Sequence, residues 1–216
     1  MTLHVINPNS NETVTAGIDA AMDPLRGTGV EIACHTLSAG PRGIESQRNA
    51  DSVILPLCAR IAELEESASA FVIACFSDPG LFSARETTAK PVLGIMESGV
   101  LTALTLGHRY GIIAILPNSV QRHIRTLRGL GLTERLAGDR PLGLRVEELS
   151  NPDRTAARMA EVGRTLRDQD GADVLVMGCA GMARYREMLQ TETGLPVVEP
   201  CQAAAGLAIS RIKQGI

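Results

Sequence analysis

The sequence contains few aromatic residues. Phe, Tyr and Trp together make up 2% of its 216 residues, and Trp is absent. Aromatic rings are the platforms on which proteins stack nucleic acid bases. Basic clusters are also missing, because Lys and Arg are dispersed and the net charge is −3. The two absences together argue against nucleic acid as a partner.

Long apolar runs are missing as well. No stretch approaches the roughly 20 apolar residues that a membrane-spanning helix requires, although 44% of all residues are hydrophobic. The N-terminal segment MTLHVINPNS lacks the basic and apolar regions of a signal peptide. We therefore expect a soluble, cytoplasmic protein without a membrane partner.

The five cysteines show no spacing that is typical of disulfide frameworks or zinc sites. They are widely separated, and no CxxC pair occurs, so we expect reduced thiols. Cys34 in a predicted strand and Cys58 in a predicted helix are expected to pack as small hydrophobic residues. Cys201 follows Pro200 at a strand end, and its contact with a cleft is left open.

What the sequence does contain is an alternation of apolar β-type runs with helical patterns. Runs such as FVIA at 71–74 are apolar throughout, which is typical of strands covered on both faces. The alternation predicts an α/β protein with parallel sheets. Predicted strands include LGLRVEEL at 142–149. The predicted helices cover 11–24, 46–67, 81–89, 97–106, 119–129, 153–169, 182–192 and 201–213.

Three landmarks recur in the same order along the chain. VINPNS at 5–10 resembles AILPNS at 114–119. The predicted strand that ends at Cys75 resembles the one that ends at Cys179, and PVLG at 91–94 resembles PVVE at 196–199. This recurrence indicates an internal duplication. We expect two similar lobes related by a pseudo-twofold axis, with the active site in the cleft between them. The first would comprise residues 1–97 and 201–216, and the second residues 98–200.

Each lobe is expected to carry one cysteine into a turn after a central strand. Ser77-Asp78-Pro79 predicts a helix start after Cys75, and a thiol at the positive end of a helix has a lowered pKa. Small residues around Cys179 allow a ligand to approach the backbone. Two thiols facing one cleft suit removal of a proton from one face of a carbon acid and its delivery to the other. This chemistry predicts a small-molecule substrate and requires no metal or coenzyme.

Five segments together resemble the aspartate/glutamate/hydantoin racemase superfamily, and most closely its hydantoin and allantoin racemase branch. They are INPNSNETVT at 6–15, GPRGIES at 40–46, CFSDPGLFSARE at 75–86, PVLGIMES at 91–98 and GCAGMA at 178–183. The resemblance implies two Rossmann-like lobes, catalysis by Cys75 and Cys179 as the two bases, no cofactor, and a 5-substituted hydantoin or allantoin as substrate. We also expect a homo-oligomer.

The resemblance also implies a set of substrate-binding residues. The residues that match the family's turns and loops are Asn7, Pro41, Phe76, Ser77, Ala180 and Gly181. Asn118 is added from the second Pro-Asn-Ser motif. Glu45, in the same loop as Pro41, is a further candidate. Arg109 is expected in a solvated loop, although a contact with a substrate carboxylate stays open.

The chain departs from this branch at two places near the expected pocket. Ala114-Ile115-Leu116 stands where a Thr-Thr pair is usual, and Glu199-Pro200-Cys201 stands where Asp-Gly is usual. The substrate therefore stays open. Alternatives are an amino-acid racemase of the aspartate/glutamate type, a cysteine-dependent isomerase or decarboxylase of the superfamily, and a small-molecule binding protein without turnover. The basic segment at 122–136 is interpreted as a solvated helix, and His123 as unpaired.

Overall fold

The computed structural model describes residues 1–146, 148–149 and 151–216 with their side chains. The strands are β1 (Thr2–Asn7), β2 (Glu31–Thr36), β3 (Ala70–Ile73), β4 (Val92–Gly94), β5 (Tyr110–Ala114), β6 (Leu136–Pro141), β7 (Val174–Met177) and β8 (Val197–Val198). The α-helices are α1 (Glu12–Ala21), α2 (Gln47–Ser52), α3 (Ile54–Leu64), α4 (Leu81–Thr87), α5 (Ile95–Ala103), α6 (Pro117–Gly129), α7 (Pro152–Asp168), α8 (Arg186–Thr193) and α9 (Pro200–Gln214). Short 3-10 helices are Asp23–Leu25, Thr133–Arg135, Val146–Ser150 and Ala180–Tyr185.

The strands form two parallel sheets of identical topology. The strand order is β2-β1-β3-β4 in the first sheet and β6-β5-β7-β8 in the second. The inner strands β3 and β7 are buried along their whole length, as their unbroken apolar sequences predict. The predicted α/β fold with two similar lobes is therefore confirmed.

Strand register places the two cysteines at equivalent positions. At the end of β3, Ile73 pairs with Ile6, and the corresponding pair in the second sheet joins Met177 to Ile113. Two residues beyond Ile73 and Met177 the chain reaches a cysteine in each lobe. The carboxyl ends of parallel strands are the usual ligand-binding edge of such sheets.

The Pro-Asn-Ser repeat does not follow this register. The two motifs lie 109 residues apart, whereas the paired residues Ile6 and Ile113 lie 107 apart. As a result, the second motif forms the first turn of α6, while the first motif lies in the loop ahead of α1. The sequence match thus identifies the correct region of each lobe but not equivalent residues.

Helices α5 and α9 join the two lobes through a continuous core. They pack against each other, while α9 lies on β1, β3 and β4, and α5 contacts β7 and β8. One apolar cluster contains Val72 of the first sheet, Val176 of the second and Ala205 of α9. We propose the division into residues 1–97 with 201–216 and residues 98–200, because it assigns α9 to the sheet that it covers.

The predicted strand at 142–149 is wrong. The edge strand is β6, and the chain leaves the sheet after Pro141, although Leu142 still donates to the carbonyl of Ala114. Leu142, Leu144 and Val146 are buried while Gly143 between them is exposed. This loop therefore has the alternating burial of a strand without pairing as one.

The predicted helix at 46–67 is two helices, α2 and α3, that meet at Val53. Pro56 in the first turn of α3 explains the break. Its nitrogen carries no hydrogen to donate, and its ring would collide with the carbonyl four residues earlier in a continuous helix. Among the described residues, no helix has both the length and the apolar character needed to cross a membrane.

Candidate active site

Cys75 and Cys179 line one cavity between the two sheets. Of the other predicted site residues, Phe76, Ser77 and Ala180 also line it. The cavity measures about 30 Å³, enough for about two water molecules. The fold therefore brings both thiols, which are partly exposed, and the turns that follow them to one narrow space.

A larger groove of about 590 Å³ adjoins this cavity. Val14, Val146 and Ala180 line both spaces, and they separate the thiols from the groove. Gly181, another predicted site residue, lies in the groove. The narrow cavity therefore adjoins a space that is large enough for a small-molecule ligand.

The turn after Cys75 differs from the expected helix start. Helix α4 begins only at Leu81, after Gly80, whose φ is +68°. The carboxylate of buried Asp78 instead accepts hydrogen bonds from Met96 N (2.9 Å) and Glu97 N (2.8 Å). It therefore caps α5, a helix that starts 17 residues further along the chain, and the predicted cap at 77–79 is wrong.

Gly94 gives a direct test of this long-range cap. A Cβ atom there would lie 2.2 Å from Cγ of Asp78, so Gly94→Ala should lower the free energy of unfolding by about 1–3 kcal/mol. Gly206→Ala in α9 is the control, because its Cβ would meet nothing within 4 Å and alanine favours a helix by about 0.5–1 kcal/mol. Urea denaturation measures both. Equal stabilities for the two variants would contradict the packing described for Asp78.

The environment of Cys75 disfavours its thiolate. Burial is the main reason that the pKa of Cys75 is raised to about 12, and Cys179 and Asp78 add to the increase. The guanidinium of Arg122 and the N–H of Ser77 act in the opposite direction. The predicted lowering of this pKa is wrong for the closed protein, because the loss of water outweighs the nearby donors.

The environment of Cys179 has the same effect. Burial raises its pKa to about 11, and the carboxylates of Glu199 and Glu45 add to the increase. The N–H of Gly181 lowers it by a hydrogen bond to the sulfur. The surroundings of both thiols therefore favour the protonated form at neutral pH.

Asn7 lies behind the cavity wall rather than in it. Its buried amide donates to Asn9 Oδ1 (3.1 Å), the Asn11 carbonyl (3.3 Å) and Thr15 Oγ1 (3.0 Å). The cavity itself is lined by Asn9. Asn7 thus holds the Pro-Asn-Ser turn in shape, and Asn9 is the residue that this turn presents to a ligand.

The loop at 40–46 ties the two lobes together beside the cavity. Asn118 Nδ2 donates to the Glu45 carbonyl (2.8 Å), and Glu45 Oε1 accepts from Val146 N (3.1 Å). Ile44 of this loop lines the cavity, whereas Glu45 and Asn118 do not. These two candidates therefore hold the wall of the cavity from outside.

Three further residues lie away from the cavity. The Pro41 carbonyl accepts from the backbone N–H of Ser10, Arg109 is exposed, and Cys201 is buried in the core that the lobes share. None of the three lines the cavity.

Sequence reasoning missed a polar group on α6. Ser119, Arg122 and His123 line the cavity, so the interpretation of 122–136 as a solvated helix is wrong for its first turn. The buried side chains of α6 are Ser119, Arg122, His123 and Leu127. This spacing places Arg122 and His123 on the same helix face as the apolar Leu127. The apolar residue was the sign in the sequence that this face is buried.

His123 also has a partner that the sequence did not reveal. Its Nδ1 lies 2.8 Å from Asp139 Oδ2 on β6, and both side chains are almost fully buried. The His123 ring meets the ring of Phe76 edge-on at 5.1 Å between centroids. The pair therefore supports the turn that follows Cys75.

A family model described as Asp/Glu/Hydantoin racemase matches residues 3–208. The chain belongs to the Asp/Glu/hydantoin racemase family.

Relatives within the family agree with the branch that the sequence resembles. The chain is 33% identical to a hydantoin racemase of Paenarthrobacter aurescens over all of its length and 92% of the relative. Its structure is similar to allantoin racemases from Klebsiella pneumoniae (TM-score 0.94, 29% identity) and Pseudomonas fluorescens (TM-score 0.96, 27% identity). All of this chain is covered in both cases, with 89% and 92% of the two structures. The predictions of a racemase and of this branch are confirmed.

Among the described residues there is no group of three or more His, Cys, Asp or Glu side chains that could hold a metal ion.

Proposed function

We propose that this racemase acts without a cofactor and uses Cys75 and Cys179 as its two acid–base groups. The observation that supports the proposal is their common cavity, to which each lobe contributes one thiol. The proposed substrate is a 5-substituted hydantoin or allantoin, by similarity to the relatives that carry those names.

In the proposed reaction, one cysteine acts as a thiolate and removes the proton from the stereogenic carbon. The electron pair of the broken C–H bond moves into the adjacent carbonyl of the substrate, and the opposite thiol donates its proton to the other face. The enzyme is left with thiolate and thiol exchanged, ready for the reverse reaction. Phe76 and Ala180 line the cavity, and in the proposed reaction their backbone N–H groups stabilise the enolate oxygen.

The proposal requires the cavity to open. A space of about 30 Å³ holds about two waters and is too small for a five-membered ring. Val14 and Val146, which separate the cavity from the groove, come from different lobes. Their separation would admit the substrate, and their return would exclude water from the reacting carbon.

A substrate panel tests this proposal. Single enantiomers of 5-substituted hydantoins, allantoin, aspartate and glutamate are incubated in D₂O and followed by polarimetry and proton NMR. We expect loss of optical rotation and uptake of one deuterium with a hydantoin or allantoin. Turnover of free aspartate or glutamate alone would move the substrate to the amino-acid type, and binding without exchange would indicate a protein that has lost turnover. The homo-oligomeric state and cytoplasmic location stay predictions.

A further inference from the structure

Arg122 is a buried cation of the cavity wall that forms no ion pair, although the Glu45 carboxylate attracts it electrostatically. Only 6% of it is exposed. Its guanidinium donates to neutral oxygens: the carbonyls of Glu45 (3.2 Å) and Asn118 (3.4 Å) and Ser119 Oγ (3.1 Å). Among the described residues, no carboxylate forms an ion pair with it. Burying a charge without an opposite charge is strongly unfavourable.

One donor of this guanidinium also lacks a partner. Nε of Arg122 is buried and makes no hydrogen bond to any described residue. A buried donor left unpaired costs about 1–3 kcal/mol. Since Arg122 lines the cavity that holds both thiols, a ligand in that cavity is the available source of the missing acceptor.

The first turn of α6 adds to the positive character of this wall. The helix begins at Pro117, and no side chain caps its N-terminus. Ser119 in that turn is 1% exposed and lines the cavity. Helix N-termini offer N–H groups and a positive dipole end to anions. On the opposite side the side chain of Asn11 already caps α1, whereas the N-terminus of α6 has no such cap.

The nearby anionic groups of the protein are already engaged. The carboxylate of Glu45 accepts from Val146 N, and Asp139 pairs with His123. The strand end at Ala114-Ile115 offers no side-chain donor. The polar side chains of this wall are Ser119, Arg122 and His123, and His123 already pairs with Asp139.

We propose that the substrate carries a carboxylate, which Arg122 binds together with Ser119 and the first turn of α6. The inference rests on the proposed function, because it concerns the same cavity. It narrows the substrate from neutral cyclic ureides to acidic ones, or to open-chain acids with the same reactive carbon. Arg122 is then a specificity-determining residue.

A matched pair of substrates tests the inference. Hydantoin-5-acetic acid and its amide, hydantoin-5-acetamide, share the reacting carbon and nearly the same shape but differ in charge. We expect the wild-type protein to favour the acid by about 10- to 100-fold in kcat/KM. Arg122→Gln should abolish this preference, mainly by raising KM for the acid, and should lower kcat/KM for the acid by a larger factor than kcat/KM for the amide.

Control variants separate charge recognition from folding. Arg128→Gln removes an exposed arginine of the same helix and should retain the preference. Arg122→Lys keeps the charge and should retain part of the preference. It provides the test if Arg122→Gln does not fold. If Arg122 instead serves the Cys75 thiolate, its removal will slow both substrates equally and shift the pH–rate profile to higher pH, and the inference is then wrong.

A binding measurement covers the case in which neither hydantoin is turned over. Malonate at millimolar concentration should raise the melting temperature of wild type and Arg128→Gln but not that of Arg122→Gln. That result supports the carboxylate site even though the proposed hydantoin substrates fail. Turnover of the amide as fast as the acid, or equal stabilisation of all variants by malonate, overturns the inference while the racemase proposal stands.

Discussion

Replacing Cys75 or Cys179 with serine is expected to lower the rate of racemisation by about 100- to 10,000-fold, the usual contribution of a general acid–base group. A serine hydroxyl nearly matches the thiol in size but is a much weaker acid, so it cannot supply the base. The remaining cysteine stays in the cavity and can still act on the face that it contacts. Polarimetry of purified variants measures the loss.

Deuterium exchange gives the sharper result. Each single variant should still exchange the substrate proton with solvent for one enantiomer and not for the other, with opposite preference in the two variants. Cys58→Ser, which changes a partly buried thiol on α3 outside the cavity, should behave as wild type. Symmetric loss of exchange with both enantiomers in each variant would support a single-thiol mechanism instead.

The features that sequence predicts well here are local. FVIA and VLVM are apolar throughout because both faces of β3 and β7 are covered, and the cysteines follow each strand at the same distance. A reader of the sequence can therefore derive the two lobes and the position of both thiols from short segments alone. The segment at 142–146 shows the limit, because its alternating burial arises from packing and not from strand pairing.

The features that sequence reasoning missed depend on partners far along the chain. Asp78 caps a helix that starts at Ile95, and His123 pairs with Asp139 on an edge strand. The burial of Arg122 depends on the loop at 40–46, whose Glu45 carbonyl accepts its hydrogen bond. Helical periodicity could place Arg122 and His123 on one face with Leu127, but it could not show that this face meets the cavity.

The pH dependence of the rate is the second large effect that the structure predicts. Since burial raises the pKa of Cys75 to about 12 and that of Cys179 to about 11, only a small fraction of either thiol is ionised near neutral pH. That fraction rises about tenfold per pH unit below the pKa. We therefore expect kcat/KM, which reports groups of the free enzyme, to rise with a slope near one from pH 7.5 to 9.5. Initial rates of deuterium uptake measure it.

Folding stability in this range depends on the buried thiols more than on the buried carboxyls. Burial raises the pKa of the carboxyls of Asp78 and Glu199 to about 7 from ordinary values of 3.8 and 4.5. Their contribution to stability is complete below pH 4 and is lost as the pH rises through 7, because only the folded state holds the proton in that window. Above pH 7.5 these two groups contribute no further change, whereas the raised pKa values of Cys75 and Cys179 should lower stability as the pH rises above about 8.5, the pKa of an unfolded cysteine. Urea denaturation at the two ends of the range measures this loss and shows whether the protein stays folded there.

A plateau of kcat/KM near pH 8 would contradict the expected slope. It would mean that the thiol that reacts is solvated, with a pKa close to that of free cysteine at about 8.5. Both thiols are already partly exposed, and a wider cavity before the proton is removed would solvate them further. The profile therefore distinguishes proton transfer in the enclosed space around Cys75 and Cys179 from proton transfer in an open cleft.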